Sequence, residues 1–283
     1  MNSPALPSGV LARVPGVPAP HHSRRRWPQL NVPLRDWVGR RVWLVGASTG
    51  IGLACAQALH AAGAQVIISA RKPQTVQDWA AREEGVRWLA LDVTDAQAVR
   101  SAAQSVLAEG ALDLVIYCAG HYRAQRAAQW SLAEMLRHEQ VNYTGALHVL
   151  DAVLPALISQ GQGHISLVSS VAGWRGLPNG LAYGPTKAAL THLGESLYMD
   201  LQDHGVDVSV IHPGFVATPL TAQNQFSMPA LMRPEAAAAA MLRGWARGQF
   251  DIHFPKRFTG VLKLLRLLPY AVYFPLVRRM TGL

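Results

Sequence analysis

Six short apolar runs recur along the chain, at 41–46 (RVWLVG), 65–70 (QVIISA), 86–91 (VRWLAL), 112–117 (LDLVIY), 164–168 (HISLV) and 206–211 (VDVSVI). Stretches with helical periodicity separate them, near 50–63, 74–84, 95–109, 131–158 and 184–204. A further helix is expected to start at Pro234, run through the alanines that follow Glu235 and end near Gly248. A strand buried on both faces reads as a near-continuous apolar run, and joining parallel neighbours takes a crossover long enough for a helix. The alternation therefore predicts one α/β domain, a doubly wound parallel sheet with helices on both faces. It also divides the chain into an arm at 1–35, a domain at 36–251 and an extension at 252–283.

The arm holds seven prolines and no helical or alternating pattern, so an extended, disordered segment is expected there. Its Ser23–Arg26 run resembles a twin-arginine export signal, but Pro28 and polar residues follow in place of an apolar stretch. Its Arg-rich, acid-free composition resembles an organellar transit peptide, whose amphipathic helix the prolines oppose. A solvated arm remains the simplest reading.

The formal net charge of +9 first suggests a nucleic-acid partner. Its distribution argues otherwise. The arm carries five basic residues and no acid, the extension six and no acid, and residues 36–251 are left at −2. The domain is not basic, no basic patch interleaved with aromatics occurs in it, and no nucleic acid is expected among its partners. Two cysteines, Cys55 and Cys118, exclude a disulfide framework and a four-cysteine zinc site, and fit a reducing, cytoplasmic setting.

The first apolar run leads directly into Gly46-Ala-Ser48-Thr49-Gly50-Ile51-Gly52 and then a helix. Glycines there permit a tight turn and close approach of a pyrophosphate, which the helix's free amides and dipole attract. The spacing G-x-x-x-G-x-G resembles the T-G-x-x-x-G-x-G turn of the short-chain dehydrogenase/reductase family, with Val45 in place of the threonine. The resemblance covers about residues 38–250 and implies a Rossmann-type fold, a nicotinamide cofactor and an oxidoreductase active on a carbonyl or secondary alcohol. The second run ends Ser69-Ala70-Arg71-Lys72, with no acid to accept from a ribose hydroxyl. Arg71 and Lys72 could instead pair with a 2′-phosphate, so NADP(H) is expected over NAD(H). Asp92-Val93 matches the family's adenine contact, and Cys118-Ala119-Gly120 its N-A-G segment, with Cys118 replacing the asparagine. Pro213-Gly214-Phe-Val216-Ala-Thr218 resembles the P-G-x-x-x-T element that holds the nicotinamide carboxamide.

Tyr183 and Lys187 are four residues apart, one helical turn, which lets both side chains face one substrate. A phenol is a poor base at neutral pH, and an adjacent ammonium favours its phenolate. Ser170 precedes Tyr183 by the family's interval, which favours it over Ser169 as the catalytic hydroxyl. Asn142, in Val-Asn-Tyr-Thr-Gly, matches the fourth catalytic position, and an asparagine inside a helix suggests a kink and a water-binding role. The implied roles are acid/base for Tyr183, oxygen stabilisation for Ser170, activation of Tyr183 and ribose binding for Lys187, and a proton-relaying water on Asn142. A dehydratase or isomerase using bound cofactor, and a catalytically silent cofactor-binding scaffold, remain the alternatives.

Residues 219–234 resemble the family's variable substrate loop. Phe226 and Met228, with Leu231, Met232 and the nearby Trp174, would give it an apolar inner face suited to a hydrophobic small molecule. In the extension, Phe258, Val261, Leu262, Leu265 and Leu268 fall on one side of a helix, opposite Thr259, Lys263 and Arg266. Two cations with Pro269 and Pro275 interrupt any spanning segment, leaving either an interfacial helix at the inner face of a membrane or packing on the domain or a dimer face. A homodimer or homotetramer is expected. No metal ligand set is recognised.

Overall fold

The structure, a computed structural model, describes residues 29–71, 74–224 and 226–282. The expected arm up to residue 28, and Lys72, lie outside the described residues.

All six expected strands form: β1 (Arg41–Val45), β2 (Gln65–Ala70), β3 (Val86–Ala90), β4 (Leu114–Tyr117), β5 (Gly163–Val168) and β6 (Val206–Pro213). A seventh, β7 (Asp251–Phe254), joins them in one parallel sheet of order β3-β2-β1-β4-β5-β6-β7. The order reverses direction after β1, which opens a crevice at the carboxyl ends of β1 and β4, where open α/β sheets bind ligands. The connecting helices are α1 (Gly50–Ala61), α2 (Gln74–Ala80), α3 (Ala96–Ala108), α4 (Leu132–Glu139), α5 (Gly145–Gln160), α6 (Tyr183–Leu201) and α7 (Pro234–Ala246). They cover both faces and create two cores. One packs α1 and α7 on Val42, Leu44 and Ile68; the other packs α3, α5 and α6 on Trp43, Val115 and Leu167. From Val42 to Val45 successive β1 residues alternate between them, as the two-residue period of a strand demands.

The domain is longer at both ends than the apolar runs indicate. Residues 29–35, expected to belong to the arm, pack on the sheet beside β6. Asn31 is fully buried and its Nδ2 donates to Val208 O at 2.8 Å and to Gln249 O at 3.2 Å. The Val32 amide donates to Asp207 at 2.8 Å, and Leu34 is buried against the core. A single buried side chain here satisfies two backbone carbonyls, so Asn31→Ala should lower unfolding free energy by about 1–3 kcal/mol. Denaturant unfolding of the two proteins checks this, and an unchanged midpoint would show that the segment contributes nothing.

The boundary at 251/252 is also corrected, because it cuts β7. That strand pairs with β6 from Val210↔Asp251 to Pro213↔Phe254. After it come α8 (Lys256–Arg266) and α9 (Tyr270–Thr281), joined by a short turn through Pro269. The expected faces of α8 are partly reversed: Thr259 is fully buried, where its hydroxyl meets His253 Nδ1 at 2.7 Å, whereas Val261 is half exposed. One continuous helical stretch, Leu132–Gln160, is long and apolar enough to cross a membrane, but its Val141, Val149, Val153 and Leu157 are buried in the core.

Candidate active site

The turn after β1 is shaped by two glycines. Gly46 has φ +87°, and a Cβ there would lie 2.3 Å from the Ala119 Cα, so the turn and the end of β4 are in backbone contact. Gly50 opens α1 at φ +58°, and its Cβ would lie 2.9 Å from Thr218 Cγ2, which brings the segment after β6 over the turn. Thr49 sits at the N-cap in extended conformation without a side-chain cap bond. The first amides of α1 are thus left for an anion, and no acid stands in that turn to repel one. Val45, in place of the family threonine, is a fully buried strand residue.

A cleft of about 320 Å³ begins at this turn. Every expected cofactor residue that is described lines it: Gly46, Ser48, Thr49, Gly50, Ile51, Gly52, Arg71, Asp92, Val93, Ala119, Gly120, Tyr183, Lys187, Pro213, Gly214, Val216 and Thr218. Arg71 is exposed on the lining, and Asp92 receives the Thr94 amide and hydroxyl at 3.0 and 2.8 Å. Burial would raise the Asp92 carboxyl, but those bonds and the nearby Arg71 charge hold it below its ordinary value. The sequence pattern missed other lining residues, among them Leu91, Val141, Val168 and Leu220, whose apolar side chains carry no motif. Cys118 also lines the cleft; burial pushes its thiol up to about 12 against the pull of Lys187, so it behaves as a small neutral side chain.

The catalytic candidates converge on the same cleft. Ser170 follows β5 and caps a single turn at 171–173, its Oγ accepting from the Ala172 amide at 3.1 Å. Ser169, which also lines the cleft, is buried, with its hydroxyl donating to Lys187 O at 2.7 Å. Gly173 permits the close packing of this loop on α6, since a Cβ would lie 2.7 Å from the Lys187 carbonyl. Tyr183 and Lys187 share the first turn of α6, and Pro185 between them falls where a missing amide costs little.

Lys187 is 3% exposed, donates from Nζ to Val168 O at 2.8 Å and lies 5.5 Å from the Tyr183 ring centroid. Burial pushes its ammonium down to about 8, while Cys118 acts in the opposite direction. Burial also drives the Tyr183 phenol up to about 12, against the Ser170 hydrogen bond and with a smaller upward push from Tyr122. Loss of water around the ring is the largest influence on this phenol and favours its protonated form.

Asn142 lies in a π-turn (Gln140–Thr144) between α4 and α5, the kink its presence suggested. Its Oδ1 accepts the His121 amide at 2.6 Å, and its Nδ2 donates to His121 O and to Thr186 Oγ1, each at 3.0 Å. Both amide hydrogens are engaged, so the side chain pins the loop after β4 to α6. That loop contributes Tyr122, unnoticed in the sequence, whose ring lies edge-on to Tyr183 at 5.1 Å. It also contributes His121, which with Glu134 and His138 forms a polar cluster whose ligand-type atoms lie within 4.8 Å of one another. His138 is occupied there by backbone, with Nδ1 donating to Glu134 O and Nε2 accepting the Arg123 amide.

The substrate candidates Trp174, Phe226 and Met228 lie outside the cleft lining. Trp174 is buried away from the cleft lining, with its ring against His212 at 5.0 Å and His253 at 5.7 Å. The turn at 171–173 directs it beneath α8. Phe226 is 41% exposed and meets Phe215 edge-on, and Asn224 Nδ2 donates to Met228 Sδ at 3.4 Å. Met232 packs on the core while Leu231 is exposed.

The comparisons with known proteins agree with this geometry. The family profile for short chain dehydrogenase matches residues 40–228. An uncharacterized oxidoreductase of Myxococcus xanthus is 36% identical over 248 residues, covering 85% of this chain and 97% of its own. Among solved structures, a short-chain dehydrogenase from Streptomyces avermitilis superposes with a TM-score of 0.73 at 26% identity, covering 86% of this chain and 99% of its own. A second, from Burkholderia cenocepacia J2315 and solved in complex with NADP, gives 0.74 at 25% identity, covering 87% and 98%. The glycine turn, the sheet order and the Ser–Tyr–Lys cleft therefore have one origin: this chain belongs to the short-chain dehydrogenase family of oxidoreductases.

Proposed function

We propose that the protein interconverts a carbonyl and a secondary alcohol on a hydrophobic small molecule, with NADP(H) preferred over NAD(H). The observation that carries the reading is the placement of Tyr183 beside Ser170 and Lys187 in the cleft that begins at the glycine turn. The glycine cradle and the open amides of α1 fit a pyrophosphate, and Arg71 fits a 2′-phosphate. A nicotinamide cofactor held by this cradle would supply or accept the hydride. Tyr183 donates its proton to the substrate oxygen in the reducing direction, and Ser170 Oγ stabilises the charge that develops there. Lys187 holds the cofactor ribose and, as an ammonium, favours the phenolate that proton donation leaves behind. Asn142 keeps the loop that carries Tyr122 against the site.

Steady oxidation of NADPH with a panel of apolar ketones and aldehydes tests the activity. Consumption matched by alcohol product is expected; cofactor binding without consumption would favour an isomerase, a dehydratase or a silent scaffold. Arg71→Glu tests the preference, which rests on the absence of an acid at the end of β2. The kcat/KM ratio of NADPH to NADH should fall at least about tenfold, since a paired cation becomes a repelling carboxylate. An unchanged ratio would remove Arg71 from the phosphate site. Exposed Trp130, Leu132 and Leu136 at the start of α4 support the expected homodimer or homotetramer, which light scattering can count.

A further inference from the structure

Seven of the seventeen large apolar side chains left exposed among the described residues fall between positions 261 and 280. They are Val261, Leu264 and Leu267 on α8 and its C-terminal end, and Tyr270, Val272, Phe274 and Met280 on α9. A helix on the surface of a soluble domain turns its apolar stripe inward. Here α9 buries Tyr273 and Val277, an i,i+4 seam, and leaves most of its apolar surface outside. Lys256, Arg257, Arg266, Arg278 and Arg279 are exposed around the same surface, and residues 252–283 contain no acid.

The hairpin is held in place from within the domain. Arg175, on the loop that follows Ser170, donates from one guanidinium nitrogen to Leu265 O, Arg266 O and Leu268 O at 3.2, 2.9 and 2.7 Å. Its guanidinium carbon lies 3.9 Å from the Tyr273 ring centroid and 4.5 Å from that of Tyr270. Lys263 pairs with Asp251, which binds His212 at 2.8 Å, and His212 reaches Thr191 on α6 at 3.0 Å. Phe258 packs on Phe215 and over Gly214, a residue of the cleft lining. The outward apolar face is thus a fixed surface that adjoins one wall of the cleft.

We infer that α8 and α9 dock the protein onto an anionic lipid surface, with the exposed apolar side chains in the acyl boundary and the five cations at headgroup level. Charge selects this occupant. A second copy would bring two acid-free cationic faces together, whereas phosphate and carboxylate headgroups complement them. Docking stands without the proposed reaction. Its consequence for substrate, that a lipid-soluble carbonyl compound enters from the bilayer, rests on that reaction.

Flotation of the full chain with phosphatidylcholine vesicles, with and without added phosphatidylserine, is the test. The bound fraction should be at least about tenfold larger on the anionic vesicles. It should fall by a similar factor in the variant L264E/L267E/F274E and in R257Q/R266Q/R278Q/R279Q, all exposed positions. NADPH binding followed by tryptophan fluorescence should be unchanged in both, which shows that they fold. No flotation of the wild type, or equal flotation of the variants, would overturn the proposal. A wild-type dimer that L264E/L267E/F274E converts to monomer would assign the face to a second copy instead. Flotation reads docking without turnover, so reduction of a water-soluble ketone separately reports whether the reductase reading holds.

Discussion

Tyr183→Phe is expected to lose about 10³-fold or more in kcat while binding NADPH as well as the wild type does. The phenol is the acid that meets the substrate oxygen, and positioned acid–base groups contribute about 10²–10⁴-fold. Removing one oxygen leaves the ring, its edge-on contact with Tyr122 and the packing of α6 in place. Fluorescence titration of NADPH and steady-state rates on one preparation separate chemistry from binding. A variant that keeps most of its rate would show that another group carries the proton.

Lys187→Met should cost about 10²-fold or more in kcat/KM and change the pH profile. Burial holds the Lys187 ammonium at about 8, and the Tyr183 phenol at about 12 stays protonated throughout the accessible range. The wild-type kcat/KM for reduction should therefore be level below pH 8 and fall as pH rises through 8, when the ammonium is lost. The variant has no such group, and its low rate should show no decline there. The stability sign is opposite. Because the folded value lies below the ordinary 10.5, the buried charge disfavours folding at neutral pH, and that cost is relieved as pH rises from about 8 towards 10.5. Lys187→Met should therefore be no less stable than the wild type at pH 7, although it loses the bond to Val168. A large drop in its melting temperature would mean that lost activity reports unfolding.

The contrast between what the sequence revealed and what it concealed follows from the length of each signal. Five of the six strands are buried along nearly their whole length and β3, at the sheet edge, is still mostly apolar, so all six read as apolar runs, while the glycine turn, Ser170, Tyr183 and Lys187 sit at intervals that resemble the family's. β7 escaped because four residues, Asp251-Ile-His-Phe254, alternate polar and apolar at the sheet edge. Residues 29–35 escaped because their attachment depends on Asn31, backbone contacts and the single buried Leu34, not on a periodic apolar pattern. Thr259 looked like the polar side of α8, yet its hydroxyl is satisfied by His253 and by the Pro255 carbonyl, which makes burial cheap. Trp174 was placed near the substrate by its closeness to Ser170 in the chain, but the intervening turn sends it under the extension. Tyr122 had no motif at all, and only the fold puts it against Tyr183.

The central claim is hydride transfer to a carbonyl carbon with proton donation by Tyr183. NADPH deuterated at the transferable C4 position, incubated with the best ketone of the panel, tests it most directly. The account predicts one deuterium on the carbinol carbon of the alcohol for each NADPH oxidised, with Tyr183→Phe abolishing the transfer. Product that forms without deuterium at that carbon, or without oxidation of NADPH, would contradict it.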